Sequence, residues 1–349
     1  MARIATIHTF VFLVLVAGDL NAQSDASPYP MFREETPLEL RISAPFRALG
    51  GDDADERPEY DAVLEHVQAD SDVVALDIEI RIRGRSRLDN CDYPPLSLQF
   101  PGDAIAGTVF EGQNRLKLVT LCKRSDIYRD YLTQEFQIYR MFNELTDRSF
   151  RVRWASVEYV YTDTRRPRSR IEPAFLIEED WEVAERLGME IFEPETIERE
   201  ALDAQHTVLM ALFQFLVGNT DWAVTEGPPG ELCCHNGKVI GDSDGPLIVL
   251  PYDFDNAGLI NAEYAFPNEI LPIRSVTQRL YRGFCAMNEQ LDAAIAQIDQ
   301  RRQRLIELLD DERVSARSRR RALDYLNESF EVIDDPEERQ EQIYEKCRP

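Results

Sequence analysis

Apolar and polar positions along this chain change period near the middle. Leu38, Leu40 and Ile42 alternate with polar neighbours, as in a half-buried strand. Ile78, Ile80 and Ile82 repeat the pattern, with Glu79, Arg81 and Arg83 on the opposite face and Gly84 closing the run. Leu96, Leu98 and Phe100 predict a third strand and Leu116–Val119 a fourth. The period then lengthens. Tyr128, Tyr131, Leu132, Tyr139 and Phe142 recur at helical spacing, predicting a helix over about 126–145 with Glu135 inside its apolar stripe. Two further strands (about 150–162 and 171–178) flank a basic, proline-containing loop at 165–170.

From Trp181 onward helix dominates. Residues 198–217 place Leu202, Leu209, Leu212, Phe213 and Leu216 on one side and stop at Gly218, a suitable helix terminator. A Gly- and Pro-rich loop (226–231) leads to the apolar strand 247–250, and residues 275–346 are charged and helical. The order of elements predicts an α+β protein in two lobes. A β-rich region (37–180), a mostly antiparallel sheet with one helix, is followed by a helical region (181–349) whose last part, from about 286, is an extension.

The N-terminus adds a compartment. Arg3 precedes the apolar run Phe10–Ala17, and Leu20-Asn21-Ala22 supplies a small residue where signal peptidase cuts. Residues 1–22 read as a signal peptide and 23–36 as a flexible leader; a retained anchor is the alternative. The run is too short to span a bilayer, so no membrane span is expected after cleavage. The expected location is exported, periplasmic or extracellular.

A formal charge of −25 argues against nucleic acid and anionic lipid as partners. It also makes any local basic cluster informative. The six cysteines, in an exported chain, read first as disulfides. Cys91 and Cys122 flank neighbouring strands and are paired here; Cys285 and Cys347 are then expected to take Cys233 and Cys234, in an order left open.

Candidate chemistry begins where the buried helix ends. Gly218-Asn219-Thr220-Asp221-Trp222 is followed by His235-Asn236 and, after the apolar strand, by Pro251-Tyr252-Asp253-Phe254-Asp255. Each piece alone is an ordinary cap or turn. In that order they supply what phosphoryl transfer needs: a carboxylate beside the attacking hydroxyl, an amide or oxygen ligand, and a carboxylate for a metal on the phosphates. Here the sequence resembles the spore-coat CotH kinase family, whose members carry an Asn-x-Asp-Trp loop and a later Tyr/Trp-Asp-Leu/Phe-Asp segment. The N-terminal half extends the resemblance through Ile82-Arg83-Gly84-Arg85-Ser86-Arg87, Pro95–Leu98, Arg115–Leu118 and the helix with Glu135. It covers roughly residues 38–285.

The resemblance implies a two-lobed, protein-kinase-like fold with ATP and Mg²⁺ or Mn²⁺ as cofactors. Gly84, Arg85 and Arg87 would lie over the phosphates, and Lys117 would contact them, fixed by Glu135. Asp221 would orient or deprotonate the acceptor hydroxyl, on a protein or a small molecule. Asp253, with Asn236, or with Asn219 or Asp255 in its place, would hold the metal. The residues support part of this directly. Lys117 points away from Leu116 and Leu118, and a carboxylate on an apolar helix face is costly without a cation. The bland reading is an exposed Lys117 and a Glu135 at a helix edge.

Three features depart from the family pattern. The interval from Asp221 to Asn236 is long and holds the Cys pair, Ala223 follows Asp-Trp, and the region after 286 has no counterpart. His235 reads as a packing or hydrogen-bonding residue. His66, His206 and His235 form no recognisable triad, which sets nucleophilic hydrolysis aside. Asp242-Ser243-Asp244-Gly245 falls short of a complete calcium loop. The alternative from another class is a catalytically inactive binding or envelope-assembly module using the same cleft. Oligomeric state is not legible.

Overall fold

The structure is a computed structural model and describes residues 29–349 apart from 52–55, 69–71, 85–86, 88–90 and 101. The expected signal peptide, residues 23–28 of the leader and Arg85 lie outside the described residues. Strands β1 (Leu38–Ala44), β2 (Tyr60–Val67), β3 (Val73–Ile82), β4 (Leu96–Gln99), β5 (Arg115–Thr120), β6 (Val152–Tyr161) and β7 (Ser169–Ile177) form one sheet. Its order is β1-β2-β3-β4-β5-β7-β6, and it closes on itself.

That closure corrects the fold expected from the sequence. A two-lobed kinase-like arrangement with an open, mostly antiparallel sheet is not what forms. β1 pairs antiparallel with β2 and parallel with β6, Leu38 opposite Ala155 through Ala44 opposite Tyr161, so the sheet is a seven-stranded mixed barrel. The physical reason lies in β2. Ala62, Leu64 and His66 turn inward between acidic and apolar neighbours, and this extra strand gives β1 a partner on each side. The barrel interior is filled by alternate residues, among them Leu40, Ile42, Leu64, Ile78, Ile80, Leu98, Leu116 and Leu118.

Helix α1 (Asp126–Leu145) lies where the period of 3.6 predicts it. It packs outside the barrel, with Phe136 stacked edge-on against Trp154 of β6 and near Phe175 of β7, at 5.2 and 5.8 Å. Its other flank belongs to the second core, shared with α2 (Asp180–Leu187), α3 (Ala204–Val217), α4 (Leu291–Leu309) and α5 (Ala316–Asp334). Strands β8 (Glu190–Phe192), β9 (Gly237–Gly241) and β10 (Leu247–Pro251) form a small sheet in the order β10-β9-β8.

Three disulfides hold the described chain. Cys91–Cys122 forms as expected. The other expectation is corrected: Cys233 and Cys234 bond to each other, and Cys285 bonds to Cys347. Backbone bonds of Arg348 to Gly283 and Cys285 bring the C-terminus against that segment, so the two distant cysteines meet. No helix among the described residues is long and apolar enough to cross a membrane.

Candidate functional site

β5 builds the first wall of the site by simple alternation. Leu116 and Leu118 fill the barrel, so Arg115 and Lys117 project from its outer face. β7, the neighbour of β5, ends at Ile177 opposite Lys117 and runs directly into Glu178-Glu179. Glu179 caps α2, exchanging hydrogen bonds with Glu182 in a capping box, and is fully buried. Its carboxylate takes both cations: Lys117 Nζ lies at 3.1 Å and Arg115 Nη2 at 2.8 Å. Burial pulls the Lys117 pKa down and Glu179 pulls it back. The ammonium also lies over the Phe150 ring, 5.3 Å from its centroid.

Lys117 therefore does not pair with Glu135, as the sequence reading expected. α1 presents Glu135 on its buried face, and the cation that reaches it is Arg87, at 2.6 Å. The same guanidinium binds Asp255 at 3.1 Å. Burial pushes the Glu135 carboxyl up, against the pull of Arg87. Three groups expected to act separately, Arg87, Glu135 and Asp255, are thus one buried ion cluster.

A second cluster surrounds Asp221. α3 ends at Gly218 in the left-handed region, where any Cβ would run into the Tyr325 hydroxyl. The turn that follows folds on Asn219, whose side-chain oxygen accepts the Asp221 N–H and whose carbonyl accepts from Trp222 Nε1. His235 Nε2 lies 2.8 Å from Asp221 Oδ1, and Asn236 Nδ2 donates to the Asp221 carbonyl at 2.7 Å and to Oδ2 at 3.2 Å. Burial would raise the Asp221 pKa, but these hydrogen bonds hold it below the usual value, and the same contact raises His235.

β10 delivers Asp253. Its N–H donates to the Tyr139 hydroxyl of α1 at 2.8 Å, and the Tyr252 N–H donates to the Asn236 carbonyl at 3.2 Å, tying the two loops together. Asn236 and Asp253 both have positive φ, 49° and 62°, which non-glycine residues adopt only when their surroundings impose it. Burial, with Asp255 close by, pushes the Asp253 carboxyl up to about 8.

Between these parts lies a cavity of about 420 Å³. Gly84, Arg87, Lys117, Glu135 and Asp253 line it, so five sequence-predicted residues share one wall system. Asp221, Asn236 and Asp255 stand beside it, linked through Tyr252 and Arg87. Sequence reasoning missed four cations on the same walls: Arg57, Arg83, Arg115 and Lys238. Arg115 carried a usable signal, since it shares the outward face of β5 with Lys117. Glu179 carried none; within Glu178-Glu179-Asp180 it looks like a solvated acidic cap.

Asp255 is bound by Arg87, and the Asn236 amide is bound to Asp221. Asp253 has no ion pair shown among the described residues. No group of three or more His, Cys, Asp and Glu side chains that could hold a metal converges among the described residues. No family model matches this chain, and no curated protein matches it.

Proposed function

We propose that the protein is an exported, CotH-like phosphotransferase that moves a phosphoryl group from a nucleotide such as ATP to a hydroxyl. The observation that carries the reading is the cavity. In a chain with a formal charge of −25, six basic side chains line it, one of them a partly buried lysine. Phosphates are the ligand such a site recognises. The three disulfides fit an oxidising compartment, which agrees with the signal peptide read from residues 1–22.

Phosphoryl transfer demands positioning and electrostatic support more than covalent help from the protein. Lys117 and Arg115, anchored by Glu179, would hold the phosphates from one side, with Gly84 and Arg87 opposite. Asp221, fixed by His235 and Asn236, would orient the acceptor hydroxyl. A Mg²⁺ or Mn²⁺ ion carried in on the phosphates would find one open carboxylate, Asp253, and would neutralise phosphate charge.

One observation favours the second reading, an inactive binding or envelope-assembly module. Arg87 occupies the space between Glu135 and Asp255, where an active site could use open carboxylates. Terminally labelled ATP, incubated with the purified oxidised chain and Mg²⁺, separates the two. Transfer of label to protein or water, reduced about 100-fold or more by Asp221→Asn, supports catalysis. Retained ATP binding with no label moved supports the module.

A further inference from the structure

We propose that this cavity binds a polyphosphate-class anion with the protein's own cations, without a divalent metal. The inference deepens the preceding reading, in that it rests on the same cavity receiving phosphates. The chain as a whole has 64 acidic and 39 basic residues. On the cavity walls cations predominate: Arg57, Arg83, Arg87, Arg115, Lys117 and Lys238 line it with Glu135 and Asp253, while Asp255, Glu179 and Asp180 pair with Arg87, with Arg115 and Lys117, and with Lys238. These cations come from separate parts of the fold, with Arg115 and Lys117 on β5, Lys238 on β9, Arg83 just past β3 and Arg57 ahead of β2. Positive charge is therefore spread along the cavity, which suits an elongated anion with charge at several points. Its volume admits more than a single phosphate.

The carboxylates that could bring a metal to that anion are mostly taken. Arg87 binds Glu135 and Asp255, and Glu179 is shared by Arg115 and Lys117. At Gly84, φ is 76° and a Cβ would meet nothing within 4 Å, so the backbone there leaves room for a ligand. Counter-charge is built into the walls.

Inorganic tripolyphosphate, which has no base or sugar, is the probe. Calorimetric titration of the oxidised chain in EDTA should show saturable binding, weakened about tenfold or more by roughly 0.3 M sodium chloride. Arg83→Gln/Lys238→Gln should weaken it to a similar degree, with Lys238→Gln alone giving a smaller loss if the pair perturbs folding. Binding that requires Mg²⁺, or that is indifferent to these substitutions in a folded protein, overturns the inference. The transfer assay separates the two claims. Metal-free binding with no transfer from ATP leaves this inference standing and removes the enzyme, and Mg²⁺-dependent binding with transfer does the reverse.

Discussion

Lys117 is held by Glu179, 3.1 Å away, and not by Glu135. Glu179 is the residue that caps α2, so the cation on the barrel is anchored by the first helix beyond it. A single buried carboxylate thereby couples the position of Lys117 and Arg115 to the junction between β7 and α2. Glu135 instead serves Arg87 and through it Asp255.

Glu179→Gln should therefore disturb the cavity while Glu135→Gln leaves Lys117 in place. Glutamine keeps an acceptor for the α2 cap but removes the charge facing two cations. The expected cost is about 2–3 kcal/mol, below that of a fully buried pair because Arg115 is partly exposed. Urea unfolding measures the cost, and ATP titration should show weakened binding for Glu179→Gln. Equal effects of the two substitutions on binding would contradict the assignment.

Arg87→Met leaves Glu135 and Asp255 facing each other without their cation. Breaking a buried ion cluster from one side costs about 3–5 kcal/mol. Arg87→Met/Glu135→Met should recover part of that loss, because one of the two stranded carboxylates is gone. A double variant no more stable than the single would show that Glu135 is not the group Arg87 neutralises.

His206 predicts a pH dependence with a definite sign. It is buried in α3 with Nε2 3.0 Å from the Val249 carbonyl, and burial lowers its pKa to about 4. In the unfolded chain it titrates near the ordinary value of about 6.5. Between those values the unfolded state binds the proton and the folded state does not. Its contribution is complete above about pH 6.5 and is lost as pH falls toward 4, by on the order of 3 kcal/mol. Comparing urea unfolding at neutral and acidic pH, His206→Gln should lose less stability than the parent. An identical loss would remove His206 from the account.

Peptide mapping without reduction should find Cys285 joined to Cys347 and Cys233 joined to Cys234 within one peptide. Cross-links between the two pairs would contradict the structure. The Cys285–Cys347 bond closes 62 residues, and Cys285→Ala/Cys347→Ala should cost about 4 kcal/mol on the chain-entropy estimate.

Local periodicity made much of this molecule legible. It placed β1, β3, β4, β5, β6, β7 and α1, and Gly218 at the end of α3, because each buries one face of a regular element. It could not show which strands meet. The β1–β6 pairing joins residues more than a hundred positions apart, and nothing in Leu38–Ala44 distinguishes a barrel strand from a sheet edge. β2 escaped because Asp61, Glu65 and His66 dilute its apolar alternation. The site shows the same division. Residue types along 218–255 gathered Asp221, Asn236 and Asp253 into one region, whereas the partner of Lys117 depended on the turn from β7 into α2. The vicinal disulfide depended on the C-terminus returning to Cys285.

The central claim is that phosphates enter the cavity beside Lys117. Calorimetric titration of the purified, oxidised chain with ATP, with and without Mg²⁺, against Lys117→Met tests it most directly. The account predicts saturable binding, weakened about tenfold or more in the variant while its circular dichroism and melting stay those of a folded protein. A folded parent that binds no ATP under either condition, or a folded variant that binds as well as the parent, would contradict it.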